Sequence, residues 1–278
     1  MLNSGLYLVA TPIGNIKDIS MRAIETLQYA DVIACEDTRV TKKLFNLLNI
    51  KTDKPFISYQ DYSEEEKSQS VIDIVNQGKS VALVSDAGSP LISDPGYKLV
   101  RKCREQNIAV HTIPGACAVI SALQLSGIAT NRFMFAGFIP NKDKARIDLF
   151  NELRDINTTL VFYETAQRLC KTLNAIIEVF KQREIAVARE ITKIYEECKR
   201  GTAQELLEYY SESSPKGEIV IMVAPPTEKS SNNIDIEAEL KARLDKMSLK
   251  SAVKEVALLS KIAKNEVYDI ALRIKNGQ

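Results

Sequence analysis

An acidic loop follows directly on an apolar run in Val81-Ala82-Leu83-Val84-Ser85-Asp86-Ala87-Gly88-Ser89-Pro90-Leu91-Ile92-Ser93-Asp94-Pro95-Gly96. The carboxylate of Asp86 stands beside Gly88 and Ser89, small residues that let backbone approach a ligand. That set suits a small ligand carrying an amine or hydroxyls. It suits a phosphate poorly, because Asp86 and Asp94 would repel it and the loop holds no lysine. Helix capping is the alternative role for Asp86, and two acidic turns in one short loop exceed what capping needs. A second acidic cluster, Glu36-Asp37-Thr38-Arg39, also ends an apolar run and carries its own cation. Farther on, Lys142, Lys144 and Arg146 put three cations into five residues, and Arg168 adds another. With a net charge of +1, the chain would hold any nucleic acid by such a local patch; the alternative is a solvated charged face. His111, the single histidine, lies in a strand-like run before Pro114 and reads as packed rather than catalytic.

Those residues need a scaffold that presents loops along one edge. Residues 6–10, 32–35, 56–58, 81–84 and 109–113 read as strands, and 20–29, 40–48, 63–78, 97–106 and 119–126 as helices. Ser20 is a candidate N-cap, and Ser63-Glu64-Glu65-Glu66 has the capping-box pattern. Regular alternation implies an α/β fold on a parallel sheet, with ligand loops at the carboxyl ends of its strands. The texture changes near residue 126. Strands are expected at 132–138, 159–163, 185–189 and 218–223, a helix at 167–179 and a basic polar loop at 141–146. This implies a second α/β domain on a mixed sheet. The expected organisation is therefore 1–125, 126–224, a Pro-containing linker at 225–233 and a helical module at 234–278. The last piece resembles a helix-turn-helix and carries Lys250, Lys254, Lys261, Lys264, Arg273 and Lys275.

Composition removes several classes. No apolar run approaches the ~20 residues that span a bilayer. Residues 1–5 lack the charge and apolar stretch of a secretory signal. Five scattered cysteines at 35, 103, 117, 170 and 198, with no C-x-x-C, read as reduced thiols of a cytoplasmic protein and not as a zinc site. The first strand is not followed by G-x-G-x-x-G, which disfavours a nicotinamide-dependent oxidoreductase.

A set of ordered motifs carries a family resemblance. They are Leu8-Val9-Ala10-Thr11-Pro12-Ile13-Gly14-Asn15, Glu36-Asp37-Thr38-Arg39, the long Asp86 motif, Phe162-Tyr163-Glu164, Ala188-Arg189-Glu190-Ile191-Thr192-Lys193, Arg200-Gly201-Thr202 and Lys216-Gly217-Glu218. Together they resemble the ribosomal RNA small subunit methyltransferase I family of the tetrapyrrole methylase superfamily, over about residues 5–224 and more weakly over 247–275. The chain departs from the family pattern at Ala116-Cys117, at Ala166-Gln167 and after Ser58-Tyr59.

The resemblance implies two α/β domains with S-adenosyl-L-methionine held in the cleft between them. It implies methyl transfer to the ribose 2′-hydroxyl of a cytidine in 16S ribosomal RNA of the small subunit, and a homodimer. Pro12, Asp86, Ser89, Cys117 and Ala118 match the superfamily's cofactor loops, and Glu164 and Glu190 match two later contacts. Asp86 would take the ammonium or the ribose hydroxyls of the cofactor. A 2′-hydroxyl is a very weak acid, so a base beside it would help. Asp37 matches a general-base position of tetrapyrrole relatives; Glu36 would raise its pKa by like charge, and Arg39 would bind phosphate or offset the pair. A strand-end acidic turn with Arg39 as its ion pair is the alternative. Lys142, Lys144, Arg146 and Arg168 are the candidate RNA contacts. Few aromatics accompany them, which points to a folded RNA surface rather than a stacked single strand. Two other functions fit the same residues: a precorrin-type C-methyltransferase, and a non-catalytic nucleic-acid-binding protein with a vestigial cleft. The basic loop and helical tail favour the RNA enzyme.

Overall fold

The computed structural model describes residues 2–60, 64–213, 215–226, 235–260 and 262–275. The expected cap at Ser63, the end of the stretch after Tyr59, most of the linker and Lys261 lie outside the described residues. The chain divides into two compact units, Met1–Pro225 and Pro226–Gln278.

The first unit opens with β1 (Gly5–Val9), α1 (Met21–Tyr29), β2 (Val32–Cys35), α2 (Thr38–Leu47), β3 (Phe56–Ser58), α3 (Glu64–Asn76), β4 (Ser80–Val84), α4 (Tyr97–Glu105), β5 (Val110–Ile113) and α5 (Ala118–Ser126). The five strands form an all-parallel sheet in the order β3-β2-β4-β1-β5. Alternate strand residues feed opposite faces. Leu6, Val32, Ala34, Val81 and Leu83 pack with Ile72 and Leu99 on one side. Val9, Ile33, Cys35, Ala82 and Val84 pack with Leu27 and Phe45 on the other. Burial on both faces explains why these strands read as continuous apolar runs. Ser20 caps α1 by accepting from the Ala23 amide at 3.1 Å.

The unit continues with β6 (Phe133–Phe138), α6 (Asp143–Leu153), β7 (Thr159–Thr165), α7 (Leu169–Phe180), β8 (Glu184–Arg189), β9 (Glu197–Thr202), α8 (Ala203–Glu212) and β10 (Glu218–Val223). A mixed sheet runs β6-β7-β10-β8-β9, with β6 and β7 parallel and the other pairs antiparallel. One face packs Phe162, Val187 and Ile221 against Phe150, Leu173, Ile176 and Tyr210. The other face packs Val161, Ala188, Val220 and Met222 against Val119, Ala122 and Leu123 of α5. So α5, the last helix of the parallel half in sequence, buries its apolar side on the mixed sheet and ties the two halves together.

Three features differ from the sequence reading. The expected basic loop at 141–146 is largely the first turns of α6, where Ile147, Phe150 and Leu153 provide the apolar stripe. β9 is an extra edge strand; its Glu-Cys-Lys-Arg-Gly-Thr sequence has no apolar alternation. α8 starts at a capping box, Thr202 with Glu205, which the sequence spells out as T-x-x-E.

The second unit contains α9 (Ile236–Leu244), α10 (Leu249–Ser260) and α11 (Lys264–Lys275). Its own core is Leu240, Ala252, Val253, Val256, Ala257, Val267 and Ala271. Lys250, Lys254, Lys264, Arg273 and Lys275 are all at least partly exposed.

Candidate active site

The loops after β1, β2, β4 and β5 meet at the carboxyl edge of the parallel sheet. An antiparallel bridge pins the first to the third: the Thr11 amide donates to the Gly88 carbonyl at 2.8 Å, and the Gly88 amide returns to the Thr11 carbonyl at 3.1 Å. Gly88 has φ +82° there, a conformation that disfavours any side chain. Leu91 and Ser93 in the same loop, and Glu190 and Thr192 after β8, are non-glycine residues held at positive φ. Such strain persists only where surrounding structure over-determines it, and here it flanks one cavity.

That cavity is a cleft of about 380 Å³ between the two halves of the first unit. Its lining includes Glu36, Asp86, Ser89, Cys117, Ala118, Glu164 and Glu190 of the expected site. The sequence reading did not single out Tyr163, Lys193 and Glu218 as lining residues, although each sits inside a quoted motif; Asp94, read there as a charge facing the ligand, also lines the cleft. Phe138, at the end of β6, carried no signal of its own. Six carboxylate residues (Glu36, Asp86, Asp94, Glu164, Glu190, Glu218) face one lysine, Lys193, among the described lining residues. This charge balance fits a cationic ligand and opposes an anionic one. Cys117 precedes α5 with no side-chain capping bond, so the first-turn N–H groups other than that of Val119, which meets the Tyr163 hydroxyl, remain suited to a ligand carboxylate. Burial pushes the Tyr163 hydroxyl up to about 12, which keeps it a neutral wall.

The remaining expected residues sort differently. Asp37 and Arg39 do not line the cleft. Asp37 caps α2, accepting from the Arg39 amide at 2.8 Å, and its carboxylate grips the Arg39 side chain with a 2.6 Å contact. The hydrogen bonds from Arg39 hold the Asp37 pKa down at about 2, whereas a raised value was expected from Glu36. In this structure Asp37 serves as the cap of α2 and is ion-paired with Arg39. Asp86 moves the other way: desolvation raises its pKa, offset in part by a hydrogen bond from the Asp37 amide at 3.1 Å.

Glu164 lines the cleft, but both carboxylate oxygens are spent. One accepts from Arg168 Nε at 2.6 Å and from the Thr165 amide at 2.7 Å, the other from Thr172 at 2.6 Å. Arg168 also donates to the Ile139 carbonyl at 2.6 Å. Buried Glu164 and half-buried Arg168 therefore brace one another, which leaves Arg168 engaged within the protein. Arg146 is engaged too: only 2% exposed, it is held by Asp143 at 2.9 Å and the Asn141 carbonyl at 3.0 Å, out of reach of any phosphate. Lys142 and Lys144 are exposed as expected. Glu190 pairs with Lys193 at 2.9 Å. His111 is exposed on β5 and stacks on Tyr7 with ring centroids 4.6 Å apart. Pro12 lies in a neighbouring groove.

Residues 5–207 match the family of Tetrapyrrole (Corrin/Porphyrin) Methylases, and residues 231–275 match the RsmI C-terminal HTH domain. The chain is 41% identical over 278 residues to ribosomal RNA small subunit methyltransferase I of Rickettsia prowazekii (strain Madrid E), covering 99% of each. It is 48% identical over 274 residues to the protein of that name from Erythrobacter litoralis (strain HTCC2594), covering 99% of this chain and 96% of that one. The chain belongs to the ribosomal RNA small subunit methyltransferase I family of tetrapyrrole methylases. The fold agrees. Uroporphyrin-III C-methyltransferase from Thermus thermophilus superposes with a TM-score of 0.56 at 17% identity, over 80% of this chain and 94% of that one. Diphthine synthase does so with 0.61 at 16% identity, over 79% and 89%. The family's cofactor is S-adenosyl-L-methionine. The acidic cleft with the open N-terminus of α5 fits its cationic sulfonium and ammonium and its single carboxylate.

Proposed function

We propose that this protein transfers a methyl group from S-adenosyl-L-methionine to the 2′-hydroxyl of a cytidine ribose in 16S ribosomal RNA, working as a homodimer on the small ribosomal subunit in the cytoplasm. The observation that carries the reading is the acidic cleft on a chain similar over nearly its whole length to named small-subunit RNA methyltransferases. Among the described residues no helix is long and apolar enough to cross a membrane.

S-adenosyl-L-methionine supplies an electrophilic methyl on a sulfonium, so the protein must position, desolvate and accept a proton. Asp86, Ser89, Glu190 and the first turn of α5 are the groups that would hold it, with Glu190 for its ammonium, Asp86 for its ribose hydroxyls and the α5 amides for its carboxylate. Of Asp37 and Asp86, which one hydrogen bond joins, Asp86 is the better base, because its proton affinity is raised while that of Asp37 is lowered. The Asp37–Arg39 clamp fixes the start of α2 and, through the Asp37 amide, the position of Asp86. RNA contacts are assigned to Lys142 and Lys144 and to the cations of the helical unit.

The test is transfer of labelled methyl to small-subunit particles from cells lacking this gene product, followed by mapping of the modified nucleotide. A 2′-O-methylated cytidine is expected. Transfer to a precorrin and not to particles would replace this reading with the tetrapyrrole one. Absence of calorimetric cofactor binding would leave only the nucleic-acid-binding one.

A further inference from the structure

Ile194, 94% exposed, and Tyr195, 73% exposed, stand side by side in the loop between β8 and β9. Among the described residues no large apolar side chain is more exposed than the first, and no aromatic ring more than the second. The loop that carries them is tightly bonded. The Lys193 amide donates to the Glu190 carbonyl at 3.0 Å and the Glu196 amide to the Lys193 carbonyl at 3.1 Å. The Glu196 carboxylate reaches back to accept from the Thr192 amide at 2.7 Å, and Lys193 pairs with Glu190. Glu190 and Thr192 are held at positive φ, and Ile191 is buried at the root. The loop after β1 lies against it: a Cβ on Gly14 would fall 2.7 Å from Lys193 Cγ and 2.8 Å from Thr192 Oγ1. Glu190, Ile191 and Lys193 line the cofactor cleft, so the exposed pair begins one residue beyond its wall. A braced loop at the cleft that leaves its two largest apolar side chains in water is built to meet something outside the protein.

We infer that Ile194 and Tyr195 form a finger that enters the RNA beside the acceptor, with the Tyr195 ring stacked on a base next to the nucleotide being methylated and Ile194 wedged into the step that opens there. The inference rests on the RNA reading above. A ribose inside a stacked helix cannot bring its hydroxyl to a methyl held in a cleft, so the acceptor must leave its neighbours. The base it leaves behind loses a stacking face. An aromatic ring restores that face whatever the base, and a branched apolar side chain keeps the step open. A second copy of this chain is the poorer occupant. The two side chains offer roughly 400 Å² between them, about half of what each partner buries in a stable dimer. Exposed Lys193 and Glu196 bound the apolar spot on either side along the chain.

The chain contains no tryptophan, so Tyr195→Trp places a single fluorophore on the finger and the parent serves as blank. Unmethylated small-subunit particles are expected to quench it about twofold or more, as stacking on a base does. Tyr195→Ala and Ile194→Ser alter exposed side chains that the fold does not use. Each should lower kcat/KM for particles about tenfold, with cofactor affinity by calorimetry within about twofold of the parent and the molar mass in solution unchanged. Tyr195→Phe should keep nearly full kcat/KM, whereas Tyr195→Leu, apolar but not flat, should behave as Tyr195→Ala. Should Tyr195→Ala also lose cofactor affinity, the tryptophan signal and the comparison of Phe with Leu decide. An unquenched tryptophan, a Leu variant as active as the Phe variant, or unchanged kcat/KM in Tyr195→Ala overturns the inference while leaving the RNA reading standing. A changed molar mass overturns it by giving the finger to a second copy. No transfer to particles by the parent enzyme, with transfer to a precorrin, overturns both.

Discussion

Asp37 and Asp86 are joined by one hydrogen bond and pulled in opposite directions, and this pair sets the pH behaviour. The Asp37 pKa lies at about 2, below its unfolded value. Its stabilising cap is therefore fully present above the unfolded carboxylate pKa of about 4, and is lost as pH falls through the folded value. Asp86 has a raised pKa in the fold, so the folded state holds its proton more tightly and ionising it weakens the fold as pH rises. The acid limb of turnover should then follow Asp86, above the ordinary carboxylate value, and Asp37 should contribute no limb in the working range. A pH–rate profile of kcat/KM for Asp37→Asn that keeps the parent limb supports this; disappearance of that limb would return the proton to Asp37. Asp86→Asn keeps an acceptor for the Asp37 amide and removes the charge. It should weaken cofactor binding by ~1.5–3 kcal/mol, the worth of a charged hydrogen bond, and unchanged calorimetric affinity would rule out its role in the cleft.

Elements explain why some of these residues were readable and others were not. The strands of the parallel sheet are buried on both faces and bounded by Gly, Pro and Asp, so their apolar runs and the loops behind them stand out in the sequence. β9 is an edge strand of charged residues, and nothing in a linear pattern marks it. Arg146 looked like a free cation because its burial depends on α6, whose apolar residues at 147, 150 and 153 carried the helical signal. The bond from Arg168 to Glu164 is local in sequence too, but its burial is tertiary. The Lys216-Gly217-Glu218 motif also has an explanation at this scale. Gly217 has φ +86°, and a Cβ there would fall on Glu190 Oε1, far inside van der Waals contact. Gly217→Ala should therefore displace Glu190 from Lys193, destabilise the unit by ~1–3 kcal/mol and lower cofactor affinity. Denaturant unfolding with calorimetry checks both effects; retained affinity would separate Glu190 from the cofactor.

At the scale of the molecule, the chain is two units with separate cores, and the cleft lies in the first. The cleft, its strained loops and the groove beside it are built wholly from residues before Pro225, and Leu240, Val253, Val256 and Val267 close a second core without them. A chain ending at Pro226 should therefore fold and bind S-adenosyl-L-methionine with affinity within about twofold of the full protein, since the cleft keeps its whole lining. Binding to the particle should fall, because Lys250, Lys254, Lys264, Arg273 and Lys275 leave with the second unit. Counterion release makes this quantitative. Every cation withdrawn from a phosphate should flatten the slope of log K against log salt by ~0.7–0.9, so the shortened chain should be both weaker and less salt-sensitive. Turnover at saturating particle should change little if the unit only docks RNA, leaving the defect in KM. An equal loss of kcat at saturation would mean instead that the helical unit helps to place the acceptor at Asp86, and an unchanged salt slope would remove its cations from the RNA interface.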